Sequence, residues 1–517
     1  MKNRLIYKDF ALCTLTGFFS SLSFQRLNLF FIVWISFVPM IFVLKKSKLV
    51  KSFFYSFWSG FVFNAFGIYW LVYTIYFNTG CFIQSIIAPC ILWIYLALYW
   101  GIWGLSLNLL VSSNSFKKNI FYSNILLSFF ASCIWVLIEY IRTYLFTGFP
   151  WLLIGYSQFN FIEIIQIAEF VGVYGVSFLV MFCNLCIYFW IFEKNKNLKK
   201  NNLYLFVVLL IVFGFLIFGI TRINKFKSLN VKKFTVAVVQ PNIDQYKKWD
   251  PRYFDSIFSN LSRYAFKISK FKIDLVIWPE SVFAGCINKD KFIYDKIKQI
   301  TKIAGGLNIV GSLYKDKTNN KCFNVVSAFE NGNYINMHKK NHLIIFGEFV
   351  PFKFIFSNFF NALDNNGDLT KGNDVNIFNN NKMLVGSTIC SENFLPNISR
   401  KLASFGAEVF TNHTNDSWFF DTSAPYQHFA MNVFRAIENR KQVIISANSG
   451  ISGIIDTSGV IIKKTPSFKG VLFIDYFFQN DFKTFYTKYG DLFVFICLVS
   501  IFCLAFIELV KKIIVCL

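Results

Sequence analysis

Three short stretches of this chain each carry a polar, reactive side chain at the end of an apolar run. DLVIWPES brings Glu280 just past Pro279, a residue that cannot donate to a strand ladder and so ends it. A carboxylate held at a strand end beside Trp278 is placed to act as a general base. KKNHLIIFGEFVPF sets Lys339, Lys340, His342 and Glu348 among aromatic and aliphatic neighbours. A lysine buried there needs a counter-charge, and Glu280 or Glu348 can supply it. LVGSTICSENF runs a strand straight into Cys390, followed by Ser391 and Glu392. A cysteine at a strand-to-turn elbow projects its sulfur toward substrate, and a nearby lysine favours the attacking thiolate. Singly, each has a plainer reading: a surface turn, a basic loop, a core cysteine. Together they amount to a base, a cation and a nucleophile.

The elements that must position them are short strands. Runs at 234–240, 274–280, 307–313, 323–329, 382–390, 407–412 and 442–448 are nearly continuous in apolar residues. Such strands belong to a sheet covered on both faces, hence an α/β domain. Amphipathic segments at 252–270 and 425–440 supply covering helices. Loops at 355–382 and 413–427 are candidates for a lid.

The flanks of this domain have a different composition. Hydrophobic residues make up 55% of the 517 positions and charged residues 15%, more apolar side chain than one soluble core can use. Mean hydropathy is +0.47. Stretches long enough to span a bilayer lie at 9–25, 27–44, 54–77, 82–112, 121–146, 164–192 and 203–221, with an eighth near 490–510. A basic start, MKNRLIYK, precedes the first stretch. No small-residue cleavage site follows, so an uncleaved first helix is expected. Lysines and arginines fall at the N-terminus and after the second, fourth, sixth and eighth stretches, whereas the alternate loops hold only Arg26. That parity puts both termini inside and 222–489 outside. The expected division is 1–221 as a seven-helix membrane domain, 222–489 as the outer domain and 490–517 as a final helix.

The net charge of +24 invites a nucleic-acid reading, but the lysines lie between apolar stretches and form no single basic face. No GxxxxGK[ST] or GxGxxG run occurs, which gives nucleotide binding no support. Four histidines without HExxH spacing leave no metal site, and no cofactor is expected. Most of the twelve cysteines sit in apolar runs and behave as small hydrophobes; whether Cys286 and Cys322 pair is left open. Glu139 and Arg142, three apart near the outer end of the fifth stretch, either meet a lipid headgroup or pair with each other. Phe, Lys, Asn and Ile are used so heavily that any single one carries little weight.

The order Glu280, Lys340, Cys390, each at a strand end, resembles the nitrilase superfamily. The membrane frame narrows the resemblance to its branch of bacterial apolipoprotein N-acyltransferases, over nearly the whole chain. VVQPN (238–242) followed by Lys248-Trp249-Asp250-Pro251 is similar to that family's domain entry. Lys340 stands two residues before His342 in a pattern K-x-H-L-x-x-F-G-E-F/Y-V-P that also supplies Glu348. Cys390 and Glu392 match a Cys-x-Glu; NDSWF (415–419) and PYQH (425–428) match a downstream signature; TGFPWLLIGYSQ (147–158) matches a membrane-side one. Ser391 stands where the family often has Tyr, and Ile345 where Pro is common.

The resemblance implies an α-β-β-α sandwich joined to about eight transmembrane helices in a bacterial inner membrane. It implies Glu280 as base, Lys340 at the oxyanion and Cys390 as nucleophile, with Glu348 and Glu392 in support; Trp249 either lines an acyl or lipid path or serves domain packing. The implied partners are a phospholipid acyl donor and a diacylglyceryl apolipoprotein acceptor, joined through a thioester acyl-enzyme. A membrane-tethered amidase, with water as acceptor, keeps the same triad; a transporter with an outer binding domain leaves the triad unused. TGFPWLLIGYSQ counts against the first, and the absence of a Gly/Pro-broken pair of spans in corresponding halves counts against the second.

Overall fold

The structure, a computed structural model, describes residues 2–113, 116, 120–193, 198–227, 232–316, 318–345, 347–349 and 369–516. The first half of the expected lid loop at 355–382 therefore lies outside the described residues. The chain divides into two compact units. One comprises Met1–Tyr76, Gly80–Lys225 and Tyr489–Leu517; the other comprises Phe77–Thr79 and Phe226–Lys488.

The first unit is helical. Among the described residues, five helices are long and apolar enough to cross a membrane: Phe82–Ser112, Phe121–Thr147, Ala168–Phe192, Asn202–Lys227 and Leu492–Lys511. The pair Leu49–Gly67 and Trp70–Thr79, bent by 59°, makes a sixth if it crosses as one broken span. This count is lower than the eight apolar stretches of the sequence, and the difference lies at the N-terminus. The first stretch forms the helix Lys2–Leu22, whose opening turns are charged. The second does not form one helix. Asn28 turns the backbone to φ 56°, a 3-10 turn follows at Phe30–Trp34, and a new helix starts at Val38 with Pro39 in its first turn.

The TGFPWLLIGYSQ segment is threaded through this unit's interior. Its residues from Pro150 to Gln158 are all buried, so its main chain must find partners. Ile154 N–H donates to Glu139 Oε1 at 2.7 Å, Gly155 N–H to Ser177 Oγ at 2.8 Å, and Trp34 Nε1 to Gln158 Oε1 at 2.8 Å. Glu139 thus anchors this segment's backbone. A second buried carboxylate, Glu169, is paired with Arg222 at 2.7 Å.

Among the described residues, the second unit is built on twelve strands. These are β1 (Lys233–Gln240), β2 (Leu275–Ile277), β3 (Leu307–Lys315), β4 (Cys322–Glu330), β5 (Asn333–Lys339), β6 (Ile377–Asn379), β7 (Leu384–Ile389), β8 (Val409–Thr414), β9 (Gln442–Ala447), β10 (Gly453–Ile455), β11 (Ile461–Lys464) and β12 (Val471–Phe478). They form two six-stranded sheets, ordered β12-β1-β2-β3-β4-β5 and β11-β10-β9-β8-β7-β6. Each sheet has a parallel centre, β1-β2-β3 in one and β7-β8-β9 in the other, with antiparallel strands outside. The sheets pack face to face on one apolar core. Val236, Val238, Ile277 and Ile309 come from the first sheet; Val385, Ile389, Val409 and Ile444 come from the second.

Helices close the outer faces. Phe258, Leu261 and Ala265 of Phe254–Ile268 and Ile293, Ile297 and Ile300 of Lys291–Ala304 pack on the first sheet. Pro396–Ser404 and Ala424–Asn439 pack on the second. Every central strand is therefore buried on both faces, which is why the strand runs lack alternation. The layers read α-β-β-α.

Candidate active site

Glu280 sits three residues past β2, on a loop pressed against β3. A Cβ on Gly311 of β3 would come within 2.4 Å of both Pro279 O and Ser281 N, so only glycine lets the loop lie there. Trp278 secures the strand end. Its N–H donates to Ile309 O at 3.0 Å, and its carbonyl accepts from His413 Nδ1 at 2.7 Å. Burial lowers the His413 imidazole to about 4, which keeps it neutral at this post.

Lys340 follows β5 directly, and its N–H donates to Asn324 O of β4 at 2.9 Å. Only 1% of this residue is exposed. Its Nζ lies 3.2 Å from Glu280 Oε1 and 2.8 Å from Glu348 Oε1. Burial alone would lower its pKa, but the charges of Glu280 and Glu348 outweigh that and raise it, so the ammonium form is held. The adjacent Lys339 goes elsewhere, 4.3 Å from the centre of the Phe323 ring and 5.1 Å from that of Tyr314. Glu348 is fixed in turn, its Oε2 accepting from Ile344 N–H at 2.9 Å. Asn324, which the sequence reading passed over, joins the two carboxylates; its Nδ2 donates to Glu280 Oε1 at 2.7 Å and to Glu348 Oε1 at 3.3 Å.

Cys390 begins the 3-10 turn that follows β7 and adopts φ 49°, a left-handed conformation in which a side chain is strained. Burial and the Glu280 carboxylate push its thiol pKa well up, with Lys340 opposing. The resting sulfur is therefore a neutral thiol, and a base must take its proton before it attacks. Thr414, at the end of β8, donates to Asp416 Oδ1 at 2.9 Å.

Glu392 is wholly buried but does not reach the reacting cluster. Its carboxylate accepts from Ile389 N–H at 2.7 Å and Asn341 N–H at 2.5 Å, and His338 Nε2 lies 3.0 Å from Oε2. Burial would raise this carboxyl, but His338 and the two N–H groups bring it below the usual range. It clasps the residue before Cys390 to the residue after Lys340. Ser391 donates to His342 O at 3.0 Å, a second tie between the same segments.

Trp249 is 38% exposed and makes no hydrogen bond to Glu280, Lys340 or Cys390 among the described residues. Its neighbour does. Lys248 is buried, and its Nζ donates to Glu280 O at 3.1 Å. Asn415 of the downstream NDSWF segment and Asn448, just past β9, hold that loop: Asn415 Nδ2 donates to Gln245 Oε1 at 2.6 Å and Asn448 Oδ1 accepts from Ile243 N–H at 3.0 Å. Cys286 and Cys322 are free, part-exposed cysteines.

Comparison with known proteins is consistent with this architecture. Residues 235–476 match the carbon-nitrogen hydrolase family model, the class that the paired sheets define. Residues 16–186 match the model of the apolipoprotein N-acyltransferase N-terminal domain. An apolipoprotein N-acyltransferase from Geobacter metallireducens is 32% identical over 507 residues, covering 95% of this chain and 93% of that one. One from Rickettsia prowazekii is 31% identical over 484 residues, covering 89% and 90%. Among solved structures, Saccharomyces cerevisiae Nit3, a member of the nitrilase superfamily, aligns at a TM-score of 0.38 and 16% identity over 47% of this chain and 90% of its own. The chain belongs to the apolipoprotein N-acyltransferase family: a membrane protein with an acyltransferase's carbon–nitrogen-hydrolase-type domain.

Proposed function

We propose that this protein transfers an acyl chain from a phospholipid to the N-terminal amine of a diacylglyceryl-cysteine on an apolipoprotein, through a thioester on Cys390. The observation that carries the reading is the buried Glu280–Lys340–Glu348 cluster beside a cysteine held at an elbow. In the first half-reaction Glu280 takes the Sγ proton as sulfur bonds to the ester carbonyl carbon. Lys340 has two carboxylate partners and a third N–H for the oxyanion that forms. The C–O bond to lysophospholipid then breaks, and the proton passes from Glu280 to that leaving oxygen. In the second, the acceptor amine attacks the thioester, Glu280 takes a proton from nitrogen, and the C–S bond breaks to return the Cys390 thiol.

Glu348 holds Lys340, Glu392 holds the Cys390 and Lys340 segments together, and Trp249 lines the approach of the lipid chains. The proposed frame is three-part: 1–221 in the membrane, 222–489 outside and 490–517 returning inside, with both termini cytoplasmic in a bacterial inner membrane. Membrane embedding supports two lipid-anchored substrates, because both reacting groups then stay in the plane of the bilayer.

The acceptor is what separates this reading from hydrolysis. With acyl-loaded protein, a synthetic diacylglyceryl-cysteine peptide is expected to discharge Cys390 at least ~100-fold faster than buffer alone, giving an N-acyl peptide by mass spectrometry. Discharge to free fatty acid at the same rate with or without peptide would make the protein a hydrolase.

A further inference from the structure

Lys248 has no part in the transfer reaction as derived, yet it is only 1% exposed. Among the described residues its ammonium makes one hydrogen bond, to the Glu280 main-chain carbonyl at 3.1 Å, and lies 5.9 Å from the centre of the Trp249 ring. An ammonium buried with so little compensation is costly, and removing the charge would relieve that cost. The surrounding chain fixes it in place all the same. Lys248 N–H donates to Asp244 O at 3.0 Å, Gln245 is held by Asn415, and Ile243 by Asn448.

The charge balance around Glu280 shows what such a group can do. Lys340 is shared between two carboxylates, so the three charged groups sum to minus one. Lys248 brings the sum to zero. Other groups act on Glu280 or its partners: the Asn324 amide on both carboxylates, the His413 ring on Trp278 O, Asp416, itself bonded by Thr414 and His428, on Cys390, and His342 beside Lys340.

We propose that Lys248 is a positioning residue of the transfer reaction, fixing the Glu280 main chain and adding a second positive charge beside the Glu280 side chain. This rests on Glu280 acting as the base for Cys390. Burial brings the Lys248 ammonium down to about 8, with the Glu280 charge opposing, so the residue is charged below that pH and neutral above it. Its influence must fade over the same interval.

The test is the rate at which iodoacetamide alkylates Cys390 in the detergent-solubilised full chain, followed by peptide mass at that residue from pH 6 to 9.5. No lipid is involved, so a failure of the transferase reading, seen as no acyl group taken from phospholipid, is separate from a failure here. Lys248→Met and Lys248→Gln should slow alkylation ~10-fold or more at pH 6.5 and less than ~2-fold at pH 9, while Lys248→Arg stays within ~3-fold of wild type throughout. Equal slowing at both pH values, or an arginine variant as slow as the neutral ones, would overturn the proposal. Should neither neutral variant fold, Lys248→Arg decides: charged throughout, it should alkylate like wild type at pH 6.5, and an arginine variant slowed ~10-fold there refutes the assignment.

Discussion

Cys390→Ala is expected to reduce acyl transfer by ~10⁴-fold or more, leaving a folded protein that still holds Glu280, Lys340 and Glu348 together. The size of the effect follows from the sulfur's role as the atom that bonds to the acyl carbon. Retention of the fold follows from what holds this region in place. Ile389 N–H reaches Glu392 and Ser391 reaches His342 O, and neither bond involves the thiol. The left-handed backbone at Cys390 places a modest strain on any side chain there, alanine included. Circular dichroism with a radiolabelled-lipid transfer assay checks both halves. Transfer within ~10-fold of wild type would mean that another nucleophile carries the acyl group.

Lys340→Met should damage stability and chemistry together. It removes the cation from between two buried carboxylates and leaves Glu280 and Glu348 both hydrogen-bonded to one Asn324 amide. Breaking a buried ion pair from one side costs about 3–5 kcal/mol, and loss of an oxyanion donor costs about 10²–10³ in rate. A falling thermal midpoint and a loss of Cys390 acylation should therefore appear in the same variant. Lys339→Met is the internal control. That ammonium lies over the Phe323 and Tyr314 rings, and its loss should change acylation by less than ~3-fold. The reverse pattern would assign the catalytic role to the wrong lysine of the pair.

Much of this arrangement can be read from the chain because the central strands are buried on both faces. Seven apolar runs of 234–240 through 442–448 correspond to β1, β2, β3, β4, β7, β8 and β9. The outer strands carry no such signal. β5, NYINMHK, is a part-exposed edge with mixed polarity, and β11, IIKK, alternates too briefly to stand out. The helix Lys291–Ala304 was legible in principle, since Ile293, Ile297 and Ile300 follow helical spacing.

The site divides along similar lines. Glu280, Lys340, Glu348, Cys390 and Glu392 could be singled out because each lies beside a strand end or a Gly/Pro turn. Asn324 could not, because one asparagine inside an apolar strand of an asparagine-rich chain has nothing to distinguish it. Lys248 was overshadowed by the more conspicuous Trp249 beside it; only the backbone path shows that the lysine, and not the tryptophan, turns toward Glu280. Hydropathy counts 27–44 as one span, whereas Asn28 and Pro39 break it into a 3-10 turn and a seven-residue helix.

The most direct test is the intact mass of the purified protein after incubation with a phospholipid of one defined acyl chain. One added acyl group, located on Cys390 by peptide mapping, released by hydroxylamine and absent from Cys390→Ala, is the predicted result. Unmodified Cys390 in folded protein under conditions where lipid is present and transfer proceeds would contradict the thioester mechanism.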